Sequence, residues 1–477
     1  MNRLELYLFS TSASKNHIFD KARNIHFVGI GGAGLCSLAE IIYSYGFVVT
    51  GSDNQQNEST QRLSNLGLTI FYGHRAEHVG SADVLVVSPA VPDENVEVKR
   101  AMSCRIPIIT GAEMLSEIMR YHYSIAIAGT HGKTTTTAMT ASVLEKLDPT
   151  VIVGGKMIDI GSHARIGKSD IVVCEADEAY GSIKYFRPNL TVVTSIDADH
   201  LDYYRDLADI SHTFLEFINR VPFYSSSVLC LDQKNIQKLL PQVRKPYMTY
   251  GFHPEANIRA ENIQFESDQS SFTVYSYDSE LGQIRLNMPG LHNISNALAA
   301  ISVALTISPS IGSIPFTQIQ HALASFGGIH RRFEVLGIAR DILVVDDYAH
   351  NPAKLRAVFN AAKTGYKRRV VGIVQPHRYQ RIHSLYKEFS SAFFDTDLLF
   401  ITPIYGMTEH PLNGISSEDL AEDIRKQGHR NVIYMPNLEI EEIVGHLRPN
   451  DIVITAGAGD IWKFSHKLLI YLKHNND

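Results

Sequence analysis

Short apolar runs, each too brief for a helix, alternate along this chain with stretches of helical periodicity. Between residues 24 and 109 the runs are Ile25-His26-Phe27-Val28, Phe47-Val48-Val49 and Val84-Leu85-Val86-Val87, with a helical pattern over 35–45. Such alternation predicts a parallel sheet with crossover helices. It restarts at Ser124-Ile125-Ala126-Ile127-Ala128, enters a helical stretch at 134–147 through a Gly-rich turn, and continues with Ile171-Val172-Val173 and Leu190-Thr191-Val192-Val193. Over 264–288 the period becomes two, as in Phe272-Thr273-Val274-Tyr275-Ser276-Tyr277, which predicts an antiparallel insert. After Phe326-Gly327-Gly328 a third α/β segment has strands at Ile342-Leu343-Val344-Val345, Val370-Val371-Gly372-Ile373-Val374, Leu398-Leu399-Phe400-Ile401 and Ile452-Val453-Ile454-Thr455.

The length of 477 residues, at ~150 residues per domain, also suggests three domains. With 44 Lys+Arg against 50 Asp+Glu, the chain lacks the basic excess of a protein that holds bare nucleic acid. Cys36, Cys104, Cys174 and Cys230 form no C-x-x-C pair, so free thiols in a reducing compartment are expected, without zinc or disulfides. Near the N-terminus Glu5 interrupts the apolar run Leu4 to Phe9, and no cleavage signal follows, so an extension rather than a signal peptide is expected. No apolar run elsewhere is expected to approach the ~20 residues that span a bilayer. A cytoplasmic protein without membrane insertion is the expectation.

Two Gly-rich turns carry phosphate-binding chemistry. Gly29-Ile30-Gly31-Gly32-Ala33-Gly34 follows a strand and opens a helix, and Asp53 lies near the end of the next strand, where a carboxylate accepts ribose hydroxyls. NAD(H) is the default ligand, and any nucleoside diphosphate satisfies the same physics. Gly129-Thr130-His131-Gly132-Lys133-Thr134-Thr135 is the second turn, with Lys133 as a point charge for phosphates and the Thr134 hydroxyl as a Mg²⁺ ligand. Ile127 stands where the general P-loop spacing has its first glycine. Glu175-Ala176-Asp177-Glu178 and Asp197-Ala198-Asp199-His200-Leu201-Asp202 both follow buried strands, where acids beside a P-loop hold Mg²⁺. In the third unit, Arg378 and Arg381 would share a face on a helical turn and clamp a carboxylate or phosphate.

Together these motifs resemble the Mur ligase family, ATP-dependent enzymes that add amino acids to the peptidoglycan precursor. The resemblance runs from about residue 24 onward. It rests on the short P-loop 128–135, on Pro289-Gly290-Leu291-His292-Asn293-Ile294-Ser295-Asn296-Ala297, and on Asp346-Asp347-Tyr348-Ala349-His350-Asn351-Pro352. The turn 29–34, Gln375-Pro376-His377-Arg378-Tyr379 and Gly457-Ala458-Gly459-Asp460-Ile461 are similar to the branch that joins L-alanine to UDP-N-acetylmuramic acid. That branch continues Ser-Asp after Glu178, whereas this chain has Ala179-Tyr180. Its signature reads Tyr-Gly-His-His-Pro, whereas this chain has Ala349 and Asn351.

The resemblance implies an α/β fold of three domains: an N-terminal Rossmann-like parallel sheet, a central P-loop ATPase domain with an antiparallel insert, and a C-terminal Rossmann-like domain. The implied division is an extension at 1–22, a UDP-substrate domain at 23–121, an ATP domain at 122–328 and an amino-acid domain at 329–477. Gly129, Thr130, His131, Gly132, Lys133, Thr134, Thr135, His292, Asn293, Asn296, Arg332 and Asp347 would bind ATP. Gly31, Gly32, Gly34, Ser52, Asp53, His74 and Ser88 would bind the UDP part, and Tyr348, His350, Arg378 and Arg381 the amino acid. Thr134, Glu175 and His200 would hold Mg²⁺, with Mn²⁺ as a substitute. Lys133 would be catalytic, with His200 or His350 as proton acceptor. The implied partners are UDP-N-acetylmuramic acid and L-alanine, in a monomer or homodimer. The rival readings are a murein peptide ligase, an NAD-dependent dehydrogenase and a P-loop switch protein.

Overall fold

The computed structural model describes residues 19, 22–201, 203–266, 268–311, 313–407 and 409–474. The expected extension lies outside the described residues except at positions 19 and 22, and so does Asp202. Three sheets carry the architecture. The first contains β1 (Asn24–Val28), β2 (Val48–Asp53), β3 (Thr69–Tyr72), β4 (Val84–Val87) and β5 (Ile108–Thr110), in the order β3-β2-β1-β4-β5 with every pairing parallel. The order reverses between β1 and β4, which opens a crevice at the carboxyl end of β1. The Gly-rich turn occupies that point, and the helix Ala33–Ser44 behind it buries Leu35, Leu38, Ile41 and Ile42.

The second sheet contains β6 (Tyr123–Ala128), β7 (Thr150–Met157), β8 (Ser162–Arg165), β9 (Ile171–Glu175), β10 (Leu190–Val193), β11 (Ser227–Cys230), β12 (Tyr247–Gly251), β13 (Ile258–Glu266), β14 (Gln269–Ser276) and β15 (Ser279–Leu286). Its order is β15-β14-β13-β12-β11-β10-β6-β9-β7-β8. β6 runs parallel to both β10 and β9, so the P-loop leaves the sheet between the two acidic segments. The expected insert is β13 to β15. The helix expected at 134–147 is Lys133–Val143, followed by a short 3₁₀ turn at Glu145–Leu147.

The third sheet contains β16 (Glu334–Ala339), β17 (Ile342–Asp347), β18 (Arg369–Val374), β19 (Leu398–Ile401), β20 (Val432–Tyr434) and β21 (Asp451–Ala456), in the order β16-β17-β21-β18-β19-β20. Only β16 is antiparallel to its neighbour. Both faces are covered. Leu355, Phe359, Phe389 and Leu420 pack on one side, and Ile443, Phe464 and Leu468 on the other.

The described residues fall into two compact units. One holds the residues up to Glu261 with Val274–Gly282 and Ser295–Leu323, and the other holds Asn262–Thr273, Gln283–Ile294 and the residues from Ala324 on. One expectation needs correction. The window Leu291–Pro309 is 19 residues long with mean hydropathy 1.3, long and apolar enough to cross a bilayer. It is 67% buried within the protein, as a core helix is; scattered Ser, Asn and Thr had disguised its length as an apolar run. All four cysteines are free.

Candidate active site

The P-loop is shaped by two glycines with left-handed backbone, Gly129 (φ +132°) and Gly132 (φ +80°). A Cβ on Gly129 would lie 2.1 Å from Thr194 Oγ1, and one on Gly132 would lie 2.6 Å from Asn296 Oδ1. Sterics and φ therefore both demand glycine. The segment after β10 braces the turn. Thr130 N donates to Ser195 O at 3.0 Å, His131 N to Ser195 Oγ at 2.8 Å, and Asp197 N to Thr130 Oγ1 at 2.9 Å. His131 Nε2 lies 3.2 Å from Asp197 Oδ2. Gly132 caps the helix Lys133–Val143, whose first turn offers N–H groups that have no acceptor inside the helix. Asn296 accepts from Thr136 Oγ1 at 3.2 Å.

Lys133 Nζ lies 2.6 Å from Glu178 Oε2 and 3.2 Å from Asp177 Oδ1. Burial alone would lower this amine, but Glu178, Asp177 and Glu175 hold it above its ordinary value, so it is a cation. Burial pushes the Glu178 carboxyl up in spite of Lys133. Thr134 Oγ1 donates to Glu175 Oε1 at 3.2 Å, and Gly154 N to Glu175 Oε2 at 2.8 Å. His200 has left-handed backbone (φ +54°) and places Nε2 3.8 Å from Glu178 Oε1. Lys133 and His200 thus both face Glu178, and Thr134 bonds Glu175 beside them.

The residues present fit a hard divalent cation. Glu178 Oε1 is buried with no hydrogen-bond partner, and one ligand atom each from Asp177, Glu178 and His200 lies within 4.8 Å of the others. With the Thr134 hydroxyl and Glu175 nearby, the donors are mostly oxygen, as Mg²⁺ prefers. The sequence places Asp177 and Glu178 in an acidic segment expected to hold Mg²⁺ but singles out neither as a ligand. Their signal was the acidic run itself. Past it, Tyr180 stands 60% exposed with left-handed backbone (φ +53°) where the branch has an aspartate.

In the first sheet, Gly31 N donates to Asp53 Oδ2 at 2.8 Å, and Gly29 N and Ile30 N donate to Ser52 O. Ser88 packs against Gly29, whereas a Cβ on Gly34 would meet nothing within 4 Å, which leaves room for a ligand at the helix start. Ser52 is fully buried, with Oγ 2.6 Å from Glu97 Oε2 and 3.2 Å from His74 Nδ1. Glu97 carried no motif signal and went unnoticed in the sequence.

In the unit that contains the third sheet, Asp347 ends β17 and accepts from Phe333 N at 2.7 Å and Ala349 N at 2.6 Å. Burial outweighs Arg332 and these bonds and pushes its carboxyl up to about 6. Arg331 and Arg332 flank the Tyr348 ring at 4.8 and 5.3 Å. Asn351 caps the helix Pro352–Gly365 through Lys354 N at 2.9 Å, with Pro352 in the first turn. The departure from His-Pro to Asn-Pro is therefore a strong helix start. His350 Nδ1 bonds Tyr348 O at 2.8 Å, and burial pushes His350 well below the usual histidine range. Burial likewise lowers His292, to about 4, and Asn293 Nδ2 donates to Pro289 O at 2.8 Å.

Arg378 and Arg381 do not sit on one helical turn. Arg378 is the N-cap of the helix Tyr379–Ser384, with φ +67° and ψ +124°, so it lies outside the helical turn. Its guanidinium donates to Glu409 Oε1 at 2.6 Å. Arg381 Nη1 instead lies 3.1 Å from His377 Nδ1, and burial with Arg381 and Arg378 lowers His377 to about 4, leaving a neutral acceptor. The isolated bridge between His377 and Tyr405 directly precedes Arg378, whose positive φ keeps it out of the helical turn.

A P-loop lysine set among carboxylates, a second Gly-rich helix start and a third α/β sheet define a nucleotide-dependent, phosphate-handling α/β protein. Three family models match it: Mur ligase family, catalytic domain, over 24–123; Mur ligase middle domain, over 127–304; and Mur ligase, glutamate ligase domain, over 331–459. The chain belongs to the Mur ligase family. It is 47% identical over 460 residues to the UDP-N-acetylmuramate–L-alanine ligase of Geotalea uraniireducens (strain Rf4), covering 96% of this chain and 99% of that one. A crystal structure of the UDP-N-acetylmuramate–alanine ligase of Thermotoga maritima is similar, with TM-score 0.76, 28% identity and coverage of 94% and 98%. The fold is also shared with a murein peptide ligase of Psychrobacter arcticus, with TM-score 0.67, 24% identity and coverage of 95% and 100%.

Proposed function

We propose that the chain is an ATP-dependent carboxylate–amine ligase that joins L-alanine to the lactyl carboxylate of UDP-N-acetylmuramic acid in peptidoglycan precursor synthesis. The observation that carries this reading is Lys133 held as a cation beside Glu178, Asp177 and Glu175, in a chain with full-length relatives of that name. The division of labour follows the expected domains: UDP part at 23–121, ATP at 122–328, amino acid at 329–477. The expected location is the cytoplasm.

A substrate carboxylate oxygen attacks the γ-phosphorus of ATP, the bond to ADP breaks, and an acyl phosphate forms. Lys133 and the helix N-terminus behind Gly132 stabilise charge on the transferring phosphoryl group. Thr134, Glu175 and His200 would hold Mg²⁺, which supplies further neutralisation of phosphate charge when bound. The amine nitrogen of L-alanine then attacks the acyl carbon. Phosphate leaves, and the nitrogen gives up its proton. His350 is a weak acceptor for that proton, because its Nδ1 bonds Tyr348 O and burial pushes the ring well below the usual histidine range.

Phosphate release with UDP-N-acetylmuramic acid, ATP, Mg²⁺ and a panel of single amino acids tests the reading. L-alanine should give stoichiometric phosphate and amide, and chelation of the metal should stop it. Incorporation of a tripeptide in preference to L-alanine would overturn it in favour of the murein peptide reading.

A further inference from the structure

The N-terminal sheet hides a carboxylate that no motif marks. Glu97 is fully buried in the first turn of the helix Val96–Cys104, where the helix dipole favours its charge. Oε2 accepts from Ser52 Oγ at 2.6 Å and faces His26 Nε2 at 3.2 Å. Oε1 accepts from Arg75 N at 3.2 Å and faces His78 Nδ1 at 3.1 Å and His74 Nδ1 at 3.4 Å. Burial would raise this carboxyl, but the bonds from His26 and Ser52, with the others, bring it down to about 2. An ionised carboxylate only accepts hydrogen bonds. Every group that faces it must therefore donate.

This decides the state of His74. Its Nδ1 faces two oxygens, Glu97 Oε1 and Ser52 Oγ, and the Ser52 proton is already committed to Glu97 Oε2. Nδ1 must carry the proton, so in the neutral ring Nε2 is left as a lone-pair acceptor. The ring keeps 15% of its side-chain surface exposed, whereas Ser52 and Glu97 keep none. His78 keeps 13% but its ring is stacked on Phe71 at 4.3 Å, so His74, which follows β3 beside the Gly-rich turn, is the histidine of this cluster left to meet a ligand.

We infer that Glu97 is a positioning residue of the nucleotide site, which holds His74 in the Nδ1–H tautomer so that Nε2 accepts a hydrogen bond from an N–H or O–H group of the uridine moiety. This rests on the proposed placement of the UDP part at 23–121. The donor is the imide N–H of uracil or a ribose hydroxyl, and a phosphate oxygen is excluded because it is itself an acceptor. The same Glu97 bonds to Arg75 N and Ser52 fix the loop after β3 against the end of β2, so the acceptor is presented at a set position.

Nitrogen-15 NMR of the imidazoles in the full chain should find His74 protonated at Nδ1, and a His74 protonated at Nε2 would overturn the proposal. Glu97→Gln places an amide where donors converge. It should weaken UDP binding by calorimetry about tenfold and raise the KM for UDP-N-acetylmuramic acid similarly, with kcat and the KM for ATP within twofold. A folded Glu97→Gln with unchanged UDP affinity would refute the role. Should that variant not fold, His74→Lys decides: a side chain that can only donate should lose UDP affinity, and a gain would overturn the idea. Cytidine diphosphate, which lacks the imide proton, and 3′-deoxy-UDP separate the two donor sources by which one loses affinity. Wild-type chain that binds ATP but no UDP would overturn the underlying placement, and is told apart from failure of Glu97 alone by wild-type affinity.

Discussion

Lys133→Met removes the cation at the centre of the P-loop and leaves Glu178 buried without it. The pair is 11% and 3% exposed, with Nζ 2.6 Å from Oε2, so screening by water is small. Breaking a buried pair by deleting one partner costs about 3–5 kcal/mol, because the remaining charge is uncompensated. For a domain of this size about 2–4 °C is lost per kcal/mol, so the melting temperature should fall by about 6–20 °C. The double variant Lys133→Met, Glu178→Gln removes the orphaned charge and should recover more than half of that loss. Catalysis should not recover with it. Losing a charge aimed at the transferring phosphoryl group costs ~10²–10³ in kcat, and both variants should show it in phosphate release. Calorimetry and the phosphate assay read the two effects separately, and UDP affinity serves as a check that the first sheet is intact. A double variant as unstable as the single one would refute the pairing, and a single variant with phosphate release within threefold of wild type would refute the role of Lys133.

Asp347 links stability to pH. With its carboxyl at about 6 when folded and ~3.9 when unfolded, the folded chain keeps a proton that the unfolded chain has lost between about pH 4 and 6. Stability therefore falls as pH rises through that window, by about 3 kcal/mol from this residue. Urea melts should show the wild type losing that much relative to Asp347→Asn between pH 4 and 7, and a pH-independent difference would contradict it. In the third sheet, Arg378→Ala should raise the KM for L-alanine about tenfold while sparing that for ATP. Glu409→Gln, which removes the internal carboxylate now on Arg378, should lower the KM for L-alanine; equal effects on both substrates would count against an amino-acid pocket there.

The apolar runs alone located β1, β4, β6, β9, β10, β17, β18, β19 and β21, because strands buried on both faces of a parallel sheet must be almost uniformly apolar. Gly129, Gly132 and Lys133 were legible for a related reason: a turn that approaches a phosphate dictates residue type through φ and close contact, within a few positions. Part of what stayed hidden was short or paired across long separations, although the eight-residue interior strand β7 also escaped notice. β3, β5, β8 and β20 have three or four residues each, too few to show a period, and only their neighbours make them strands. Glu97 reads as an ordinary surface acid, and Glu178 as one acid of a Mg²⁺-side segment with no sign of its lysine partner. Folding buries the first among donors from positions 26, 52, 74, 75 and 78, and sets the second against Lys133. Arg378 shows the converse, since spacing suggested a helical turn and its positive φ places it just before one. Local rules settle residue types where the backbone itself is the constraint. The charge state and partners of a side chain depend on which distant segments the sheet brings beside it, and only the tertiary structure decides that.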